Sequence, residues 1–147
     1  MTTPTSGPLK QALKNAISGN SGINTAAVGG VHEGFNNSDA IRYPFVTYQL
    51  VSGPLDRTFG DGTVSLAASF DIVVRGPNPV EVNSLDALIT ALLDGSELAV
   101  TGLKTLIVRR EEELPLPPER NAEGKKLYAN GATYSFWVDR NNDNPPT

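Results

Sequence analysis

The sequence predicts an α+β domain of two layers: a mainly antiparallel sheet of four to five strands with two helices packed on one face. Three observations predict it. Val64, Leu66, Ala68, Phe70, Ile72 and Val74 occupy even positions of Thr63–Arg75 while Thr63, Ser65, Ser69, Asp71 and Arg75 occupy odd ones, the mark of a half-buried antiparallel strand. Two other stretches repeat apolar residues every three to four positions, the helical period. The elements follow in the order helix, three strands, helix, two strands, and two single-striped helices need one apolar sheet face to cover.

The first helix rests on Leu9, Ala12, Leu13, Ala16 and Ile17, with Ser6 as N-cap, Pro8 just inside the start and Gly19 as the stop. Residues 19–30 are small and polar and read as a loop. Val31–Phe35 reads as a short strand, 36–42 as a turn, and Phe45–Val51 as a second strand with Val46, Tyr48 and Leu50 on one face. Gly60, Asp61 and Gly62 precede Thr63–Arg75 and predict a hairpin turn, which can reach back through Pro54 to Phe59. The period then changes. Asn78, Pro79 and Glu81 match N-cap, N1 and N3 of a helix whose stripe is Leu85, Leu88, Ile89, Leu92 and Leu93, with Gly95 at the left-handed C′ position. Leu103–Arg110 reads as a strand. Residues 111–124 are charged, carry Pro115, Pro117 and Pro118, and read as a loop or extended arm. Lys125–Val138 returns as a strand in which Ala132, Tyr134, Phe136 and Val138 alternate with Thr133, Ser135 and Trp137. Residues 1–138 therefore read as one domain and 139–147 as a polar tail.

Composition narrows the function classes. The 147 residues are 39% hydrophobic and 19% charged, with Gly 14 and Pro 11, a loop-rich but globular balance. No apolar run approaches a membrane span, and Met1–Pro8 has neither the charged nor the apolar region of a secretory signal. The absence of cysteine excludes disulfides and thiolate chemistry, and the one histidine, His32, cannot build a multi-histidine metal site. A net charge of -4 argues against a protein that grips a phosphate backbone.

Catalytic constellations are weak. His32 is followed by Glu33, with Asp39 near, and a Ser–His–Asp site with Ser38 or Ser52 can be drawn, but His32 and Glu33 are strand neighbours that point to opposite faces and do not converge. Glu111, Glu112 and Glu113 could be read as carboxylates of a hydrolase, but three consecutive acids beside Arg109 and Arg110 fit a solvated strand end more simply. Asp139, Asn141 and Asp143 begin a calcium loop that lacks its sixth-position glycine and its terminal glutamate. No catalytic, cofactor-binding or metal-binding residue is expected, and no cofactor. Two segments instead carry isolated apolar residues: Pro54–Gly62, with Leu55, Arg57 and Phe59, and Glu113–Lys126, with Leu114, Leu116 and Arg120. These six residues are candidates for an interface with a neighbouring subunit; the alternative is two ordinary loops packed on their own domain.

The residue order resembles a known family. A small-residue helix precedes Val31-His32-Glu33-Gly34-Phe35; then come Tyr43-Pro44-Phe45-Val46-Thr47-Tyr48, a polar loop with Arg57-Thr58, the strand Ala68–Arg75, the Leu85–Leu93 helix and Tyr134-Ser135-Phe136. Over about Leu9–Val138 this is similar to the tail terminators, small tail-completion proteins of long-tailed bacteriophages. The resemblance implies a structural virion protein at the tail-neck junction, assembled in the host cytoplasm. It implies a homo-hexameric ring that caps the tail tube protein, stops tube growth, and offers a surface to a head-completion or connector protein. Genomic DNA would pass through the lumen without specific binding. A tail-to-head joining protein is the nearest alternative; a small binding domain or an acidic-residue hydrolase are more distant ones.

Overall fold

A computed structural model describes residues 6–36, 40–52, 57–59, 64–98 and 106–139. Helix α1, Ser6–Ser18, buries Leu9, Leu13 and Ile17, the stripe its period predicts. Ser6 is already its first helical residue, not the expected cap before it. Residues 19–30 are not all loop: Ser21–Ala26 forms α2, capped by Asn20, whose side chain accepts from the Ile23 N–H (3.0 Å). Six residues are too few to display a helical period. Ile23, fully buried, supplies the packing that holds them helical.

Helix α3, Pro79–Leu93, starts as expected, with Asn78 accepting from the N–H groups of Val80 (2.9 Å) and Glu81 (3.4 Å). It ends as expected at Gly95, whose φ of 77° is the left-handed conformation glycine adopts without penalty. The buried face differs from the expected stripe. Val82, Leu85, Asp86, Ile89 and Leu93 face inward, while Leu88 is 41% exposed.

The strands are β1 Val31–Glu33, β2 Phe45–Ser52, β3 Arg57–Phe59, β4 Val64–Gly76, β5 Glu97–Leu98, β6 Leu106–Glu113, β7 Glu119–Arg120 and β8 Lys126–Asp139. The main sheet runs β1-β2-β4-β8-β6-β5, with β3 added to β4 and β7 to β8. Among the described residues it is thus wider than the expected four to five strands, and it is covered by three helices instead of two. The extra strands, β3, β5 and β7, have two or three residues each, below the length at which alternation is readable. The pairings among the described residues are antiparallel except that of β1 with β2. The α+β architecture is the predicted one.

Three segments shift. The first strand stops at Glu33 instead of Phe35. Glu111–Glu113, expected in a loop, belong to β6, where a register shift between Arg110 and Glu112 absorbs one residue as a bulge. Asp139 is the last residue of β8, not the first of a tail; 103–105, part of an expected strand, and the tail 140–147 lie outside the described residues. The core is where alternation places it: Val46 and Tyr48, Ala68, Phe70, Ile72 and Val74, Val108, and Ala132, Tyr134 and Phe136 meet the buried stripes of all three helices. Phe70 packs edge-on to Phe136 at 5.3 Å between ring centres. Among the described residues no helix is long and apolar enough to cross a membrane.

Candidate assembly surfaces

The face of the sheet opposite the helices carries Phe45 and Val73 together with a polar network that cross-links it strand to strand. Thr133 donates to Asp71 (2.6 Å), directly opposite it on β4. Arg75 donates through Nη1 to Thr47 on β2 (3.1 Å) and through Nε to Glu119 on β7 (2.8 Å). Ser135 donates to the Glu111 carboxylate and accepts from Trp137 Nε1 (2.7 Å for the latter). The Ser135 hydroxyl is out of reach of any substrate, since the residue is only 3% exposed. These bonds tie β2, β4, β8 and the β6–β7 segment into one rigid surface.

The carboxylates do not form a hydrolytic pair. Glu111 bonds Ser135 from the bulge, Glu112 stands opposite Thr133 and Glu113 opposite Ala132, so the run is spread over both faces of an edge strand. His32 donates from Nε2 to the Gly29 carbonyl (2.7 Å) and sets its ring edge-on to Phe45; Glu33 turns the other way and pairs with Lys10 at 2.7 Å. Ser38 and Asp39 lie outside the described residues. Among the described residues, no group of three or more His, Cys, Asp or Glu is placed to hold a metal ion.

The six candidate interface residues fall in two separate places. Leu55 lies outside the described residues; Arg57 and Phe59 take register positions opposite Leu66 and Val64, at the end of β4 that pairs with Asp139. Leu114 and Leu116 are half-buried between β6 and β7, and Arg120 is exposed, donating to the Gly124 carbonyl (2.8 Å). This second place is beside the start of β8, where Glu119 stands opposite Leu127. At about 3.3 Å per residue, roughly 40 Å of strand separates the two. The proline-bearing segment also has its own anchors. Leu114 donates its N–H to Gly131 (3.0 Å), Glu119 pairs with Arg75, and Asn121 donates to the Tyr43 hydroxyl (3.4 Å).

Two features escape a periodicity reading. One is a polar cluster beneath α3. Asp86 faces the sheet with Arg110 at 3.7 Å, Thr90 and Tyr134 share a hydrogen bond of 3.1 Å, and Asp94 accepts from the Arg110 N–H (2.9 Å). Burial raises the Asp86 carboxyl above its ordinary value, with Arg110 opposing and Glu113 adding to the rise. Burial likewise raises the Tyr134 phenol, with the Thr90 hydrogen bond opposing. The one early sign of the cluster is an acid set inside an apolar stripe. The other feature is exposed apolar surface: Phe35 and Val80 (70% each), Val51, Val28, Ile41 and Leu88. Three of these lie around β1. Val28 precedes it, Phe35 follows it, and Ile41 belongs to a loop held beside residues 28–30 by the Gly29 N–H donating to Pro44 (2.9 Å).

No family model and no curated protein matches the chain. Among solved structures, a chain from "Virion of native gene transfer agent (GTA) particle" has the same fold, with a TM-score of 0.62 and 11% identity over 92% of this chain and 98% of that one. A second solved chain gives a TM-score of 0.52 and 12% identity over 88% of this chain and 91% of that one. At such identities the likeness is one of fold.

Proposed function

We propose that this protein is a structural component of a phage-like virion, and within that class a tail terminator: copies close into a ring, six-membered as the family resemblance implies, that caps the tail tube and receives the head connector. The observation that carries this reading is the fold shared with a virion chain along nearly its whole length, 98% of that chain. The surfaces support it. A head-to-tail ring needs two different patches on each copy, and the chain exposes large apolar residues around β1 and along α3 while Glu111, Glu112 and Glu113 stand exposed together on β6. Ending tube growth requires one ring face to match the tube and the other to refuse a further tube ring. With a net charge of -4, the ring would let DNA pass through its lumen without holding it. No bond-making step enters this role.

Particles assembled without the protein test the reading by electron microscopy. Tails of uncontrolled excess length are expected. Tails of correct length left detached from heads would overturn the terminator role in favour of tail-to-head joining.

A further inference from the structure

The sheet path ends on two unlike flanks. At one end stands β1, three residues long, with β2 as its single strand neighbour among the described residues. The Gly30 carbonyl and the Gly34 N–H bond β2, so the alternate residues Val31 and Glu33 turn away from β2 toward the open edge, where the Glu33 carbonyl already accepts from the Phe35 N–H (2.8 Å). Around that edge lie the exposed Val28, Phe35 and Ile41. Among the described residues there, Glu33 is neutralised by Lys10 at 2.7 Å and Arg42, exposed beside Ile41, leaves one positive charge. At the other end, β5 pairs with Leu106 and Ile107 of β6 and residues 94–96 carry the bonding on to Val108 and Arg110, leaving the exposed Glu111, Glu112 and Glu113 beyond it, with Asp94 on the Arg110 N–H and Arg109 as the exposed counter-charge. A bulge and a run of like charge are what keeps a strand edge from pairing with its own kind. The same charge attracts an edge of opposite sign.

We infer that the β1 flank of one copy, Val28, Phe35 and Ile41 with Arg42, docks against the Glu111–Glu113 edge of the next copy. This rests on the proposed ring, whose head-to-tail contact it locates. The occupant is a second copy because the described residues of the two flanks carry opposite charge on the same chain, Arg42 against Glu111–Glu113, and the flanks are the two ends of one sheet path, the arrangement a heterologous contact uses. The glutamate run then has a second use: two acidic edges repel, so copies cannot join edge to like edge.

The test is the solution mass of the full chain, by light scattering over a concentration series, for the wild type, Arg42→Glu, Glu112→Lys, the double variant and an equimolar mixture of the two single variants. Both side chains are exposed, so thermal melts should stay near the wild type. Each single variant should associate about tenfold more weakly or worse, and the double variant should recover most of the loss. The mixture should also recover. At one joint the unchanged Glu112 of the first variant meets the unchanged Arg42 of the second, and at the alternate joints the two substituted side chains meet with opposite charge. If the wild type assembles and the single variants assemble as well, or if the mixture fails to recover, this docking is overturned and the ring stands. A wild type that stays single at every soluble concentration overturns both.

Discussion

Gly131 and Asp86 show how single side chains set the limits of this sheet. Gly131 lies in β8 opposite Val73, where a β-carbon would collide with the Ile72 carbonyl oxygen and come within 2.9 Å of Val73 Cα. Backbone cannot retreat from such a contact without opening the β4–β8 ladder. Gly131→Ala should therefore destabilise by about 1–3 kcal/mol, read as a lower urea midpoint with unchanged slope. Asp86 acts through charge. Burial, the largest cause, raises its carboxyl, so between the ordinary and the raised value the folded chain holds a proton that the unfolded chain has released. Its contribution to stability is therefore present at low pH and lost as pH rises through that window. Asp86→Asn does not titrate. The stability of the wild type relative to this variant should fall as pH rises from about 3 toward 7, measured by urea unfolding at each pH; a constant difference would show that burial does not set the Asp86 ionisation.

At the scale of elements, α3 is the informative case. Its caps are local chemistry. Asn78 has the side-chain oxygen that the first turn needs, and Gly95 has the freedom that the exit needs. Its orientation about its own axis is not local. Leu85, Ile89 and Leu93 bury together with Val82 and Asp86, which rotates Leu88 outward. Leu85→Ala should cost about 2–5 kcal/mol, whereas Leu88→Lys should stay within about 0.5 kcal/mol. Comparable losses in melting experiments on the two variants would mean that the helix presents its other face to the sheet. The reason the helix can tolerate an acid on its inner face is the sheet beneath it, where Arg110 of β6 pairs with Asp86, while Thr90, one turn further along the helix, bonds the Tyr134 hydroxyl of β8. The same logic explains β5 and β7. Neither has a pattern of its own; each exists because a longer strand offers it an edge.

For the whole molecule, the segment between β6 and β7 decides between assembly and self-packing. Its ends are tied to β8 through Leu114 and Glu119, and the turn that follows β7 is tied to Tyr43 through Asn121. Replacing 115–124 by a short glycine link should leave the sheet folded, because the buried core residues lie outside it. It should also abolish the ring-sized species in light scattering, since the segment continues directly from the Glu111–Glu113 edge. Undiminished assembly would remove Leu116 and Arg120 from the interface. The proposed interface residues were only partly legible in the sequence. Leu114 and Leu116 stand out as apolar residues among prolines, but Phe35, Val28 and Ile41 each sit in ordinary local contexts, and only their arrangement around one sheet edge makes them a patch.

The order of residues alone determined the α+β class, the two long strands β4 and β8, the caps of α3 and the buried stripe of α1, because each follows from periodicity or from a side chain acting on its immediate neighbours. Tertiary structure alone decided the width of the sheet, the parallel pairing of β1, the inward turn of Asp86 and the separation of the acidic flank from the apolar one. Those depend on which residues distant in the chain come to lie side by side, and no local pattern carries that information.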